Sequence, residues 1–102
     1  VADLHLDFDR PESSAIGTEF VGTSITSGGN GADMTSYGES LLGNNSHVKF
    51  FNGQRGYMLA TVSPEVWRTD FRTIDRVTEK GAPIKTRASF VVEAGEAGAK
   101  RA

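Results

Sequence analysis

The sequence of 102 residues predicts an α+β fold: mainly antiparallel β-sheet, about five to six strands with two hairpins, and one short helix. Three observations carry this. Residues 66–77 alternate with a period of two, with Trp67, Thr69, Phe71 and Thr73 on one face and Arg68, Asp70, Arg72 and Arg76 mostly on the other, as in a strand buried on one side. Two turn signals, Ser63-Pro64-Glu65 and Asn52-Gly53, each stand between β-prone runs. Only one stretch, residues 33–42, carries apolar residues at helical spacing.

The first strand is expected in residues 1–9, where Leu4, Leu6 and Phe8 face one way and Asp3, His5, Asp7 and Asp9 the other. Residues 10–14 contain Pro11 and break it. A second strand is expected from Gly17 to Thr26, a run rich in β-branched residues. The loop Ser27-Gly28-Gly29-Asn30-Gly31 follows, and then the helix over residues 33–42. It would bury Met34, Tyr37, Leu41 and Leu42, with Asp33 as N-cap and Gly43 just past its end. Residues 48–51 should pair through Asn52-Gly53 with a strand beginning at Tyr57.

The longest hairpin spans residues 56–77. Pro64 holds the φ needed at its turn and removes no ladder bond, so the turn sets the register. Trp67 and Phe71 are expected to anchor the core. A last strand is expected over residues 84–93, with Ile84, Thr86, Ala88, Phe90 and Val92 inward. Residues 1–93 thus form one small domain, and residues 94–102, with no large apolar side chain, are expected to be a disordered tail.

Composition narrows the partners. Leu, Ile, Val and Phe make up only about one-fifth of the chain, close to the level below which chains fail to bury a core. Net charge is −2 with both signs interleaved, so no basic stripe marks a nucleic-acid partner. No apolar run approaches the ~18 residues of a membrane span, and no signal peptide opens the chain. With no initiator Met, the chain is expected to be processed or to be a piece of something longer. The absence of Cys removes disulfides and thiolate ligands.

Three places could carry chemistry. Asp3-Leu4-His5 has an Asp-x-His spacing that puts both side chains on one strand face, as in binuclear metallophosphatases, but no nearby residue completes a ligand set. The loop of Ser27, Gly28, Gly29 and Asn30 lies between a strand and a helix, where backbone N–H groups can cradle an anion. It lacks the Gly-Lys-Ser/Thr of a P-loop and the spacing Gly-x-Gly-x-x-Gly. His47 and Arg55 flank the expected short hairpin, within reach of a phosphate or simply solvated.

Four segments, taken in order, resemble the C-terminal part of the catalytic domain of the alkaline phosphatase D (PhoD-like) family. They are Glu19-Phe20-Val21-Gly22-Thr23-Ser24-Ile25-Thr26-Ser27-Gly28-Gly29, His47-Val48-Lys49-Phe50-Phe51-Asn52-Gly53-Gln54-Arg55-Gly56-Tyr57, Trp67-Arg68-Thr69-Asp70-Phe71-Arg72 and Arg87-Ala88-Ser89-Phe90-Val91-Val92-Glu93. The resemblance implies a fragment of an αββα metallophosphatase sandwich, exported by a twin-arginine signal, in which calcium and iron activate water against a phosphate ester. The family's metal-binding motifs lie upstream, the last of them a Gly-Asp-x-His ending just before Val1. The resemblance therefore implies no catalytic or metal-ligating residue in this chain, no cofactor of its own, and a phosphate-side loop at Ser27, Gly28, Gly29 and Asn30. Its implied partners are the upstream part of the phosphatase and, for the intact enzyme, the phosphate ester. Without that part, the chain is expected to be inactive and to self-associate. The alternatives are an autonomous small β-rich binding module and a minimal metal hydrolase built on Asp3, His5, Asp7 and Asp9.

Overall fold

The computed structural model describes all 102 residues and contains six strands and one helix, in the order β1 (Ala2–His5), β2 (Ala15–Glu19), α1 (Ser36–Asn44), β3 (Arg55–Val62), β4 (Val66–Ile74), β5 (Lys85–Glu93) and β6 (Glu96–Arg101). β1 and β2 form a two-stranded antiparallel sheet, and β3-β4-β5-β6 form a four-stranded antiparallel sheet in chain order. The mainly antiparallel α+β class read from the pattern is the one observed.

The hairpin around Ser63-Pro64-Glu65 has the expected register, with Val62 opposite Trp67 and Arg55 opposite Ile74. Ser63 closes the turn, since its hydroxyl accepts from the Glu65 and Val66 amides. Three cross-strand rows share one face of the sheet: Met58, Phe71 and Ala88; Ala60, Thr69 and Phe90; Val62, Trp67 and Val92. Phe50 covers the first two rows, its ring 5.3 Å from that of Phe71 and 5.5 Å from that of Phe90. The buried apolar core is just Phe50, Phe71, Ala88, Phe90 and Ala99.

The third row lies beyond that cover, which corrects the expectation for Trp67. Its face is the predicted one, but Trp67 is 43% exposed, and its indole N–H donates to Thr69 Oγ1 at 2.8 Å. Phe71 anchors the core as expected, and Phe90 rather than Trp67 is the second anchor. Periodicity assigns a face; it does not say how far along the strand that face is covered.

The first strand is shorter and inverted. It ends at His5, Asp3 is its buried residue, and Leu6 and Phe8 are 74% and 56% exposed in the turn that follows. Asp3 can be inward because every oxygen it buries is paired. The second strand is Ala15–Glu19 rather than residues 17–26. The helix begins two to three residues late, because the Thr35 hydroxyl accepts from the Gly38 amide as N-cap while Asp33 pairs with Arg87.

No hairpin forms at Asn52-Gly53. Residues 48–50 lie beside β1, with Val48 bridging Ala2 and the Lys49 amide donating to the Val1 carbonyl at 2.8 Å. Asn52 Oδ1 takes the Gln54 amide at 3.0 Å, and β4 already occupies one edge of β3. The supposed disordered tail is β6. Gly95 at φ 78° turns the chain, and small residues then let it close on β1: a Cβ on Gly98 would lie 3.3 Å from Asp3 Oδ2. No large apolar residue was needed, since Arg101 lies over the Phe50 and Phe90 rings at 5.5 and 5.6 Å.

Candidate functional site

The glycine loop is built around one guanidinium. Arg55, the first residue of β3, donates from Nε to the Gly29 carbonyl at 2.9 Å and from Nη1 to the hydroxyls of Thr23 and Ser24 at 2.9 and 3.3 Å. The Ser27 carbonyl takes the Ser24 hydroxyl at 2.8 Å. Asn30 Oδ1 accepts from the amides of Val77 and Thr78, tying the loop to the exit of β4. Gly28 and Gly29, at φ 83° and 76°, make this path possible. The carbonyls of Gly28 and Gly29 thus turn toward Arg55, whereas the amides of Ser27, Gly28 and Gly29 enter no backbone bond and the three residues are exposed. Exposed N–H groups without a partner are groups from which an oxyanion can accept. The loop does not abut the helix N-terminus, since residues 31–35 intervene.

His47 and Arg55 are not joined at a hairpin. His47 packs edge-on against Phe8 at 5.0 Å, and Arg55 is engaged with the loop.

The Asp-x-His pair is used structurally. Asp3 Oδ1 accepts from Thr18 Oγ1 at 3.0 Å and the Ala99 amide at 2.9 Å, and Oδ2 meets Lys49 Nζ at 2.5 Å. Burial pushes the Asp3 carboxyl pKa up, but the bonds from Lys49, Ala99 and Thr18 outweigh it and hold the group below the usual aspartate value. His5 Nδ1 donates to the Ser13 carbonyl at 2.7 Å. No group of three or more His, Asp or Glu side chains converges within the chain. Asp3 joins β1, β2, β6 and Lys49 across separations that no local motif signals.

Sequence reasoning also missed a cleft of about 500 Å³ beside helix α1. Tyr37 and Leu41 of the helix, Phe51, Met58, Phe71 and Thr73 are among its walls. Its lining comes from five separate stretches of chain, which no periodicity reveals.

Against known proteins, a family model described as PhoD-like phosphatase matches residues 1–71. Alkaline phosphatase D of Bacillus subtilis (strain 168) is 49% identical over 100 residues, which cover 98% of this chain and 17% of that protein. A solved structure described as that of PhoD matches with a TM-score of 0.91 at 49% identity, covering 98% of this chain and 19% of the other. The chain thus spans less than a fifth of the length of the relatives it matches.

Proposed function

Because the chain belongs to the PhoD-like phosphatase family, we propose that it is the C-terminal part of the catalytic unit of a secreted, metal-dependent phosphoesterase. The observation that carries this reading is the close likeness to alkaline phosphatase D along 98% of the chain, set against the small share of that protein which the chain represents. In the intact enzyme, calcium and iron held by the remainder would activate water and neutralise charge on the phosphoryl group. The four-stranded sheet would be one part of an αββα sandwich, and the missing upstream part is its partner. This chain's own contribution is the loop of Ser27, Gly28, Gly29 and Asn30, braced by Arg55, on the phosphate side of the site. The free amides of that loop support the assignment.

The chain alone, supplied with calcium and ferric iron, is expected to show no hydrolysis of 4-nitrophenyl phosphate or bis(4-nitrophenyl) phosphate above buffer. A chimera settles the reading more directly. When this chain replaces the matching segment of the Bacillus subtilis enzyme, the product should be active, and a folded, metal-loaded but inactive chimera contradicts the proposal. In that chimera Gly29→Ala, which meets no neighbouring atom but strains a φ of 76°, should raise KM for the ester several-fold. An unchanged KM removes the loop from the site.

A further inference from the structure

The chain contains two Asn-Gly steps, Asn30-Gly31 in the glycine loop and Asn52-Gly53 ahead of β3, and the fold treats them differently. Such a step is chemically labile, because the glycine amide nitrogen can attack the asparagine side-chain carbonyl and glycine has no Cβ to obstruct the approach. Asn52-Gly53 is tied on every side. The Gly53 amide donates to the Ala32 carbonyl at 2.9 Å, Asn52 Nδ2 donates to Asp33 and Gln54 at 2.5 and 3.1 Å, and Asn52 Oδ1 accepts from the Gln54 amide at 3.0 Å. The nucleophile and the leaving nitrogen are both held.

At Asn30-Gly31 both are free. Gly31 is exposed, its amide enters no hydrogen bond, and Asn30 Nδ2 has no partner within the chain. Only Asn30 Oδ1 is engaged, accepting from the Val77 and Thr78 amides at 2.7 and 3.3 Å. Negative charge builds on that oxygen as the nitrogen attacks, so these bonds strengthen rather than break during the addition. The fold also imposes the dipeptide. Gly31 has φ 65°, and a Cβ there would run into the Gly53 carbonyl oxygen, while Asn30 ties the loop to the exit of β4.

We propose that Asn30 is a site of spontaneous deamidation, with water as the only co-reactant. The Gly31 nitrogen, its proton lost to solvent, bonds to Asn30 Cγ. The Cγ–Nδ2 bond then breaks, and the nitrogen leaves as ammonia after taking a proton from solvent, which closes a five-membered succinimide. Water opens that ring at either carbonyl and leaves an aspartate or an isoaspartate at position 30. The isoaspartate lengthens the main chain by one carbon and displaces the acceptor of the Val77 and Thr78 amides, which releases the loop from β4. The reaction needs neither a metal nor the phosphatase reading.

The test is to incubate the folded chain in mildly alkaline buffer, with a parallel sample in concentrated urea, and to follow deamidation by peptide mass spectrometry. Trypsin cleaves after Lys49 and Arg55, so Asn52 falls in a different peptide from Asn30, and fragmentation locates the change and separates isoaspartate from aspartate. In the folded chain Asn30 should react faster than Asn52 by roughly tenfold or more, the factor expected from the extra hydrogen bonds that must open before Gly53 can attack. In urea the two steps should react at similar rates. Asn30→Gln, whose longer side chain closes a ring far more slowly, should remove the modification at this position with the circular dichroism unchanged. Equal rates in the folded chain overturn the proposal, as does an Asn30 that reacts only in urea, because the Val77 and Thr78 bonds would then protect it. A preference for Asn30 that persists undiminished in urea also overturns it, since the fold would not be its cause.

Discussion

Asp3 sets the residue scale: one buried carboxylate serves Thr18, Lys49 and the Ala99 amide, and so joins segments from both ends of the chain. Removing one partner of a pair buried at both ends costs about 3–5 kcal/mol. Lys49 is partly exposed, so Asp3→Asn is expected to cost about 2–3 kcal/mol at pH 7. A carboxyl held below its unfolded value binds fewer protons folded than unfolded. Its contribution is therefore complete above the unfolded pKa of about 3.9 and is lost as pH falls through the folded one. Denaturant titrations from pH 7 to pH 2.5 should show the wild type and Asp3→Asn converging, and a constant gap would mean that Asp3 acts by shape rather than charge. Trp67 gives the opposite case. A large aromatic on the core face suggests a loss of about 3–5 kcal/mol on truncation, but with 43% of the residue exposed Trp67→Ala should cost only about 1–2 kcal/mol. Thermal denaturation of the two variants side by side should rank Asp3→Asn as the more damaging.

At the scale of elements, the legible parts were those whose cause is local. The β3–β4 hairpin was readable because Pro64 and the alternation of Thr69, Phe71 and Thr73 both lie within it. The glycine loop was recognisable as a loop, but the Arg55 brace that shapes it comes from 26 residues away. β6 was missed because its anchors are an amide on Asp3, separated by 96 residues, and a cation over two aromatic rings. The inversion of β1 has the same origin: Lys49 and Ala99 make Asp3 the better residue to bury, and neither is near it in sequence. Helix α1 carries a related tension. Gly38 sits in the helix, where Ala would gain about 1 kcal/mol in propensity. A Cβ there would lie 2.4 and 2.5 Å from Phe51 Cδ1 and Cε1, and overpacking costs about 1–3 kcal/mol. Gly38→Ala should therefore be destabilising by about 1 kcal/mol in chemical denaturation. The second substitution Phe51→Leu should recover part of that loss if the ring is the obstacle, whereas a stabilised single variant would show that Phe51 swings aside freely.

On the scale of the whole molecule, the chain is a slab of 45 × 34 × 18 Å, about the thickness of a sheet with one covering layer. Only five apolar residues are buried, while Leu59, Val62 and Trp67 stand exposed toward the end of the long hairpin. β3 is an edge strand. Outside its pairing with β4, its backbone makes one bond away from the turn, Gly56 N to the Ser24 carbonyl at 3.2 Å, so residues 59–62 keep an open edge. The run Met58-Leu59-Ala60-Thr61-Val62 has no charge and no Pro, lacking the usual devices that keep an edge from pairing with another copy. In a PhoD-like enzyme more than five times this length, other parts of the chain are available to cover such an edge. On its own, the chain should self-associate, and a two-fold arrangement with edge against edge is the simplest closed form. Sedimentation velocity across a hundredfold dilution should show a concentration-dependent shift. Leu59→Lys, which places a charge at the middle of the edge, should move the equilibrium toward monomer while leaving the far-ultraviolet circular dichroism unchanged. A well-folded wild-type monomer at every concentration would instead mean that the thin core suffices alone and that the β3 edge is protected by its own twist.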